Sequence, residues 1–464
     1  MVKIFNHYVS KLVSALLLVE IFVLILSLYA AHDLLVAYGI PVRPLDAGFF
    51  ASASAYALVT ALSMAAFGLY HLDGKPTASM TAMRLVPAAG LGFAISAVFL
   101  HMLPELYADM RVLSLATICS GLAMLVLRSL VFRTFELSFL ESRVIFVGEG
   151  ALAKECSSLA VDTIFPKKYN VVGFVPVRTE ETAVSPSALL PDGESLFSIA
   201  KKHDVREIVV SAQNRRGGSF PLHELLECKL NGIKVTGAAA FIEREARQIR
   251  VDSLYPSWLI YGDGFNQSAL RTLIKRAFDL VVSLMIFTVS LPVMLLTAVC
   301  IWLEDRGPVI YRQERVGKNG KSFYVLKFRS MRSDAEKGGK PQWAQANDDR
   351  TTRVGRIIRK LRIDELPQII NVLRGEMSFV GPRPERPYFV QQLSEQIPYY
   401  NVRHTIKPGI TGFAQVRYQY GSSVEDAVQK LQYDLYYVKN HGLFLDLMIL
   451  VETLQVVLFA KGSR

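Results

Sequence analysis

Residues 280–303 read LVVSLMIFTVSLPVMLLTAVCIWL, an uncharged run with Pro292 near its middle. A run of this length suffices to cross a bilayer. Lys275 and Arg276 stand just before it, and Arg306, Arg312 and Arg315 just after it. Basic residues beside a membrane segment favour the cytoplasmic side, so both ends of the run call for the same side. A segment that enters and leaves through one face must turn round, and a proline breaks a helix by removing a donor and crowding the preceding turn. The run therefore predicts a re-entrant helix–break–helix over 277–303, broken at Ser290 to Pro292. Such a hairpin holds the chain after it at the cytoplasmic face. A fifth crossing with a proline kink is the alternative reading.

The whole chain has 464 residues, room for two or three domains. It is 51% hydrophobic and 20% charged, with a formal net charge of +11, and its mean hydropathy is +0.28. In a membrane protein such a cationic excess serves anionic headgroups or an anionic substrate. No nucleic-acid fold signature accompanies it. Cys119, Cys156, Cys228 and Cys300 are too widely spaced for a metal site or a disulfide framework, so reduced thiols are expected.

Upstream lie four apolar segments, near 12–31, 49–69, 85–103 and 113–131. Glu20 interrupts the first and no small-residue cleavage site follows, so it does not read as a cleaved leader. Lys3 and Lys11 precede the first segment, and Lys75 and Arg84 lie between the second and third. Arg128, Arg133, Arg143 and Lys154 end or follow the fourth, whereas the other two loops hold only Arg43 and Arg111. This count puts both ends of a four-helix membrane region, 1–135, on the cytoplasmic side.

From 142 to 264 the pattern becomes strands alternating with helices, an α/β, Rossmann-like module. Strands are expected at 144–147, 171–177, 207–210 and 233–236, with a loose loop at 178–187. Gly148-x-Gly150-x-x-Ala153 follows the first strand, as in dinucleotide-binding turns. The second strand ends without an acidic residue to hold a ribose. A structural module that keeps the turn is the favoured reading. Residues 270–464 make a third region, mainly helical and basic, closing with an amphipathic stretch at 443–461.

The segment 312–365 carries fifteen Lys and Arg against seven Asp and Glu. Arginine forks bind phosphates bidentately, so this concentration suits a diphosphate with a divalent cation; a basic face lying on anionic lipid is compatible with it. Arg350, Arg353, Arg356, Arg359 and Lys360 lead to Arg362-Ile363-Asp364-Glu365-Leu366-Pro367-Gln368. Carboxylates in so cationic a neighbourhood are expected to stay ionised. An ionised Asp can attack phosphorus, and two neighbouring carboxylates can share Mg²⁺ with substrate oxygens. An acidic pair favoured by a helix dipole is the plainer alternative. Gly381-Pro382-Arg383-Pro384-Glu385 and Lys407-Pro408-Gly409-Ile410-Thr411-Gly412 read as rigid loops.

Lys327-Phe328-Arg329-Ser330-Met331, Asp364-Glu365-Leu366-Pro367-Gln368 and these two loops follow, in this order, a proline-broken apolar segment. That array resembles the bacterial sugar transferases, the monotopic phosphoglycosyl transferases, and the four upstream spans with a middle module resemble their long form. The resemblance implies transfer of hexose-1-phosphate from a UDP-sugar, UDP-glucose or UDP-galactose, to undecaprenyl phosphate with release of UMP. It implies Asp364 as nucleophile through a covalent phosphosugar intermediate, with Glu365 helping to place Mg²⁺. It implies that Lys327, Arg329, Arg332, Arg353 and Arg383 neutralise phosphate oxygens and that Glu385 orients its loop. The expected location is a bacterial inner membrane with the catalytic region on the cytoplasmic face. Expected partners are the UDP-sugar, undecaprenyl phosphate and membrane lipid, with a homodimer as a further expectation and no nucleic acid. The family's hairpin often breaks at a Ser-Pro pair; here Leu291 separates Ser290 from Pro292.

Two other function classes compete. A membrane-tethered nucleotide-sugar dehydratase or epimerase would use the Gly148 loop and needs a Tyr-x-x-x-Lys pair, but Tyr169 is followed by Gly173 and Tyr255 by Leu259. A non-catalytic scaffold binding anionic lipid would tolerate loss of Asp364.

Overall fold

The computed structural model describes all residues except 1, 5–6, 47, 71–76, 103–108, 135–140, 162–166, 178–180, 192, 213–219, 252–267, 333–349, 419–420, 422 and 459–464. Lys75, Tyr255, the string Asn347-Asp348-Asp349 and residues 252–264 of the middle module lie outside the described residues. The chain divides into two compact units, one of residues 1–2 and 8–246, the other of 3–7 and 247–464.

The first unit opens with helices α1 (Lys11–Ala37), α2 (Phe49–Ala66), α3 (Ala78–Met102) and α4 (Met110–Thr134). Each is long and apolar enough to cross a membrane. They share a core that includes Leu24, Leu28, Tyr56, Met64 and Met124. Glu20, which interrupts the first apolar segment, is fully buried and accepts from Arg128 Nε at 2.6 Å and Tyr70 Oη at 2.7 Å. Arg128 also donates to the Leu69 carbonyl at 2.8 Å. Its charge is thus an internal partner rather than a flank that sets topology, and it leaves the count made above.

The same unit continues into a four-stranded parallel sheet of β1 (Ser142–Val147), β2 (Tyr169–Val175), β3 (Glu207–Val210) and β4 (Lys234–Gly237), in the order β2-β1-β3-β4, with helices α5 (Ala151–Val161), α6 (Leu196–Lys202), α7 (Leu222–Leu230) and α8 (Ala238–Ala246). The expected strands appear within a residue or two of their expected ends. Gly148 has φ +121°, and a Cβ there would lie 2.7 Å from the Ala212 amide nitrogen. The glycine is required by the close approach of the chain leaving β3, which accounts for the turn without a bound phosphate.

The second unit holds α9 (Ala269–Asp305), the hairpin β5 (Ile310–Val316) and β6 (Ser322–Phe328), and helices α10 (Arg353–Lys360) and α11 (Gln368–Arg374). Strand β7 (Ser378–Val380) pairs in parallel with β8 (Gly409–Thr411). Helices α12 (Pro387–Gln396), α13 (Phe413–Arg417), α14 (Val424–Asn440) and α15 (Leu443–Leu458) complete it, so the region expected to be mainly helical is mixed α/β, because its basic loops pair as short strands. The expected interruption at Ser290 to Pro292 does not occur: α9 is one continuous helix with Pro292 inside it. Each end of α9 is fixed to this one unit. Near its start, Asp279 accepts from Ser378 Oγ at 3.0 Å and the Phe379 amide at 3.1 Å. At its end, Glu304 accepts from the Arg353 amide at 2.8 Å and Asp305 pairs with Arg329.

Candidate active site

Helix α10 is short, and its start is satisfied twice. Thr352 Oγ1 accepts from the Gly355 amide at 2.9 Å, while Glu304 takes the Arg353 amide. Such caps answer donors that a helix start otherwise leaves unpaired. Ile358 is buried against Met294 and Ile301 of α9 and Phe328 of β6, and burying one such side chain stabilises by about 2 kcal/mol. Arg359 and Lys360 suit the negative end of the helix dipole. Arg362, at φ 58°, then reverses the chain into a single 3₁₀ turn, Ile363–Glu365. A non-glycine residue there costs about 1–2 kcal/mol.

In a 3₁₀ turn, residues three apart eclipse. Ile363 and Leu366 accordingly pack together into the core built on Met294 and Ile301. Asp364 and Glu365 occupy the remaining sides of the turn. The acidic pair is thereby seated on the membrane helix itself.

The two carboxylates differ. Glu365 Oε1 is held by Lys327 Nζ at 3.0 Å and Arg383 Nη2 at 3.3 Å. Burial opposes its charge, but Lys327, Arg383 and Arg362 outweigh burial and hold it well below the usual carboxylate range. Asp364 has no hydrogen bond or ion pair among the described residues. Burial first, and the Glu365 charge second, push it above the usual range against the pull of Lys327, Arg359 and Arg362. The expectation that the cations hold both carboxylates low is therefore met at Glu365 and corrected at Asp364.

A cleft beside this turn is lined by Arg315, Lys327, Arg383 and Gln368, with Gly409 and Ile410 at its floor. Three cations from three separate segments converge there. Arg383 is aimed from behind: Arg403, buried, donates to the Arg383 carbonyl at 3.0 Å and to Tyr400 Oη at 2.7 Å, and pairs with Asp434 at 2.7 Å. Glu385 lies 3.6 Å from Arg315 Nη1, and its carbonyl accepts from the Val316 amide at 2.9 Å. The 381–385 loop is thus tied to the β5–β6 hairpin.

The other expected phosphate binders stand elsewhere. Arg329 is only 7% exposed and pairs with Asp305 at the end of α9. It fills the space a side chain at Gly307 would take, and its Nε and Nη1 are buried without a hydrogen-bond partner among the described residues. Arg332 and Arg353 are exposed, and the cations acting on Asp364 and Glu365 are Lys327, Arg359, Arg362 and Arg383. Arg315, Arg359, Arg362 and Gln368 belong to the site although sequence reading gives none of them a role there. Gln368 sits in the same motif as Asp364, and Arg362 adjoins it; Arg315 reads in the sequence only as a basic flank of the apolar run. Among the described residues no group of three or more His, Cys, Asp or Glu converges to hold a metal.

The aspartate turn thus packs on a helix long and apolar enough to cross a membrane, beside a cationic cleft. Residues 270–460 match the model of the family described as bacterial sugar transferase. The chain is 42% identical over 240 residues to UDP-N-acetylgalactosamine-undecaprenyl-phosphate N-acetylgalactosaminephosphotransferase of Aeromonas hydrophila. That match covers 52% of this chain and 56% of the relative, about half its length. It is 43% identical over 191 residues to UDP-glucose:undecaprenyl-phosphate glucose-1-phosphate transferase of Caulobacter vibrioides, covering 41% of this chain and 71% of the relative. It is also 42% identical over 186 residues to the exopolysaccharide production protein PSS of Rhizobium leguminosarum, covering 39% of this chain and 92% of that protein. The chain belongs to the bacterial sugar transferase family.

Proposed function

We propose that the protein transfers a sugar-1-phosphate from a UDP-sugar to undecaprenyl phosphate, releasing UMP, at the cytoplasmic face of a bacterial inner membrane. The observation that carries this reading is the division of the acidic pair: Glu365 is clamped between Lys327 and Arg383, while the Asp364 side chain beside it has no partner among the described residues. A carboxylate without a protein partner keeps its lone pairs for an incoming phosphorus.

In this reading the UDP-sugar diphosphate lies along Arg315, Lys327 and Arg383. An Asp364 oxygen attacks the phosphorus that bears the sugar. The bond from that phosphorus to the UMP oxygen breaks, and UMP leaves with the electron pair. A phosphate oxygen of the acceptor lipid then attacks the same phosphorus and frees Asp364. The fixed cations stabilise charge on the transferring group without reorganising. Asp364 with the Glu365 oxygen not held by Lys327 would hold Mg²⁺ together with substrate oxygens, which suits an ion that binds through one or two carboxylates. Both ends of α9 are tied to the unit that carries Asp364, which supports an active site level with the acceptor phosphate. Asp364 on a turn packed against α9 brings a soluble donor and a membrane-bound acceptor to one place.

The relatives' names divide between glucose and N-acetylgalactosamine, so the test offers UDP-glucose, UDP-galactose and UDP-N-acetylgalactosamine. UMP release is followed with undecaprenyl phosphate and Mg²⁺ for the native chain and Asp364→Asn. UMP from one donor, lost by at least about 10³-fold in the variant, is the expected result. Folded protein that releases no UMP from any of them overturns the reading.

A further inference from the structure

Helix α11 runs from the cleft at Gln368 to Gly375, and at Gly375 a second cationic cluster begins. A Cβ placed on Gly375 would lie 3.5 Å from both Arg276 Nη2 and Lys407 Nζ, so those two nitrogens are at most 7.0 Å apart. Lys318, on the turn after β5, acts on the same lysine, as does Lys275. Arg271 stands one turn earlier on α9, its Nη2 3.5 Å from where a Gly442 side chain would begin.

The carboxylates nearby are already committed. Asp279 holds Ser378 and the Phe379 amide, and Asp446 holds Lys275 at 2.7 Å and Tyr437 at 2.6 Å. Arg276 is spent on the Val372 and Leu373 carbonyls at 2.6 and 2.9 Å. The side chains of Arg271, Lys318 and Lys407 have no hydrogen bond or ion pair among the described residues. Burial, then Arg276, lower Lys407 below the usual lysine range; Asp279 opposes them, and Lys318 and Lys275 add smaller repulsions. His441 lies in the same field: burial, then Arg271, Lys275 and Lys318, bring it down to about 4, so it adds no charge at neutral pH.

Cations beside a membrane run are ordinary topology signals, which accounts for Arg271, Lys275 and Arg276. It does not account for Lys318 and Lys407. Both come from distant turns to stand half-buried, unpaired and mutually repelling beside them. Unpaired buried charge is unfavourable unless something neutralises it. Arg271, Lys275 and Arg276 precede Leu280, where the apolar run starts, so the missing anion belongs at the water–lipid boundary. Helix α11 has seven residues, which sets the cluster about 10 Å from the cleft. An anion there is outside the reacting position.

We propose that Arg271, Lys318 and Lys407 form a binding site for a lipid phosphate at the membrane surface, separate from the reaction cleft. The phosphate comes either from an anionic phospholipid headgroup or from a polyprenyl phosphate waiting beside the cleft. The second source rests on the function proposed above; the test below uses no turnover, so it stands or falls independently of that function.

The full chain is placed in nanodiscs of phosphatidylcholine alone, with phosphatidylglycerol, or with a few mole per cent of undecaprenyl phosphate. Amine acetylation is then read residue by residue by mass spectrometry. A bound phosphate returns Lys407 toward its usual pKa, and each unit regained removes about tenfold of its reactive free amine. The expected result is reduced acetylation at Lys407, with protection of Lys318 as well and none at the exposed Lys321. Protection by phosphatidylglycerol assigns a headgroup site, and protection by undecaprenyl phosphate alone assigns a waiting site for that lipid. No protection by either, or equal protection of Lys321, overturns the proposal.

Discussion

At the residue scale, Glu365 acts on Asp364 in a way that a pH profile reads. Asp364 sits above the ordinary carboxylate range partly because the negative Glu365 stands next to it. In the proposed reaction, attack on phosphorus needs ionised Asp364, so loading of the enzyme falls as pH drops through that raised value. In Glu365→Gln the raising charge is gone, and Lys327 and Arg383 lose the carboxylate that neutralises them. Both changes lower the Asp364 pKa, and the acid limb shifts to lower pH. The rate at neutral pH falls as well, by about 10²–10³-fold, because the two cations are no longer held in place. Formation of the phosphosugar-enzyme followed against pH checks this; an acid limb that stays put or moves up defeats the account of Asp364. The sign for stability is separate. Glu365, held below its usual range, contributes stability that is present above the unfolded carboxylate pKa and is lost as pH falls through its folded value. Sequence reading brought Asp364, Glu365, Lys327 and Arg383 to one site because their motifs stand in order. It could not separate the two carboxylates, since burial and Coulomb attraction compete there and only coordinates say which wins. It misplaced Arg329 for a related reason: the partner, Asp305, lies far back in the chain and no spacing rule joins them.

At the element scale, the two proline-rich loops are rigid because they press backbone on backbone. A Cβ on Gly381 would meet the Lys407 carbonyl at 2.5 Å, and one on Gly409 would meet the Gly381 nitrogen at 2.1 Å. These glycines permit the β7–β8 pairing that sets Arg383 against Ile410 in the cleft. Neither neighbour is the end of a flexible side chain, so Gly409→Ala must spread the pair and costs about 3 kcal/mol or more. Gly320 is the useful contrast. Its φ is +76° but nothing lies within 4 Å of an added Cβ, so Gly320→Ala costs only about 1 kcal/mol in backbone strain. Thermal unfolding in detergent ranks the two, and equal midpoints defeat the packing argument. The strands of the first unit and the four upstream apolar helices were readable from the sequence pattern because one face or one run decides each. The loop contact was not, because glycine in a Pro-rich stretch reads equally as a turn or as a close approach. Pro292 was over-read. One proline removes one donor and costs about 3 kcal/mol, and a helix packed through Met294 and Ile301 and tied at both ends runs on through it.

At the scale of the whole molecule, the family match and the compact unit do not start at the same residue. The match begins at residue 270, whereas the second unit takes up the chain again at Arg247. The difference has physical content. Ile249 and Val251 are buried at 3% and 6% exposure in the core that contains Tyr400, Leu435 and Tyr436. The Ile249 amide also donates to the Gln432 carbonyl at 3.1 Å. Losing these two side chains exposes apolar surface worth about 3–5 kcal/mol. The Rhizobium protein, matched over 92% of its own length by 186 residues of this chain, argues that the segment from α9 onward carries what the family needs. A chain begun at Arg247 is therefore expected to keep its fold and its donor-dependent UMP release within about threefold of the full protein, as a domain with its own core should. A chain begun at Ser268 is expected to release UMP too, but to unfold at a midpoint lower by roughly 8 °C or more, since 1 kcal/mol shifts a domain of this size by about 2–4 °C. Matched midpoints for the two shortened chains would place Ile249 and Val251 outside the stabilising core. Loss of activity in both, with the fold retained, would assign the first unit a part in the reaction itself.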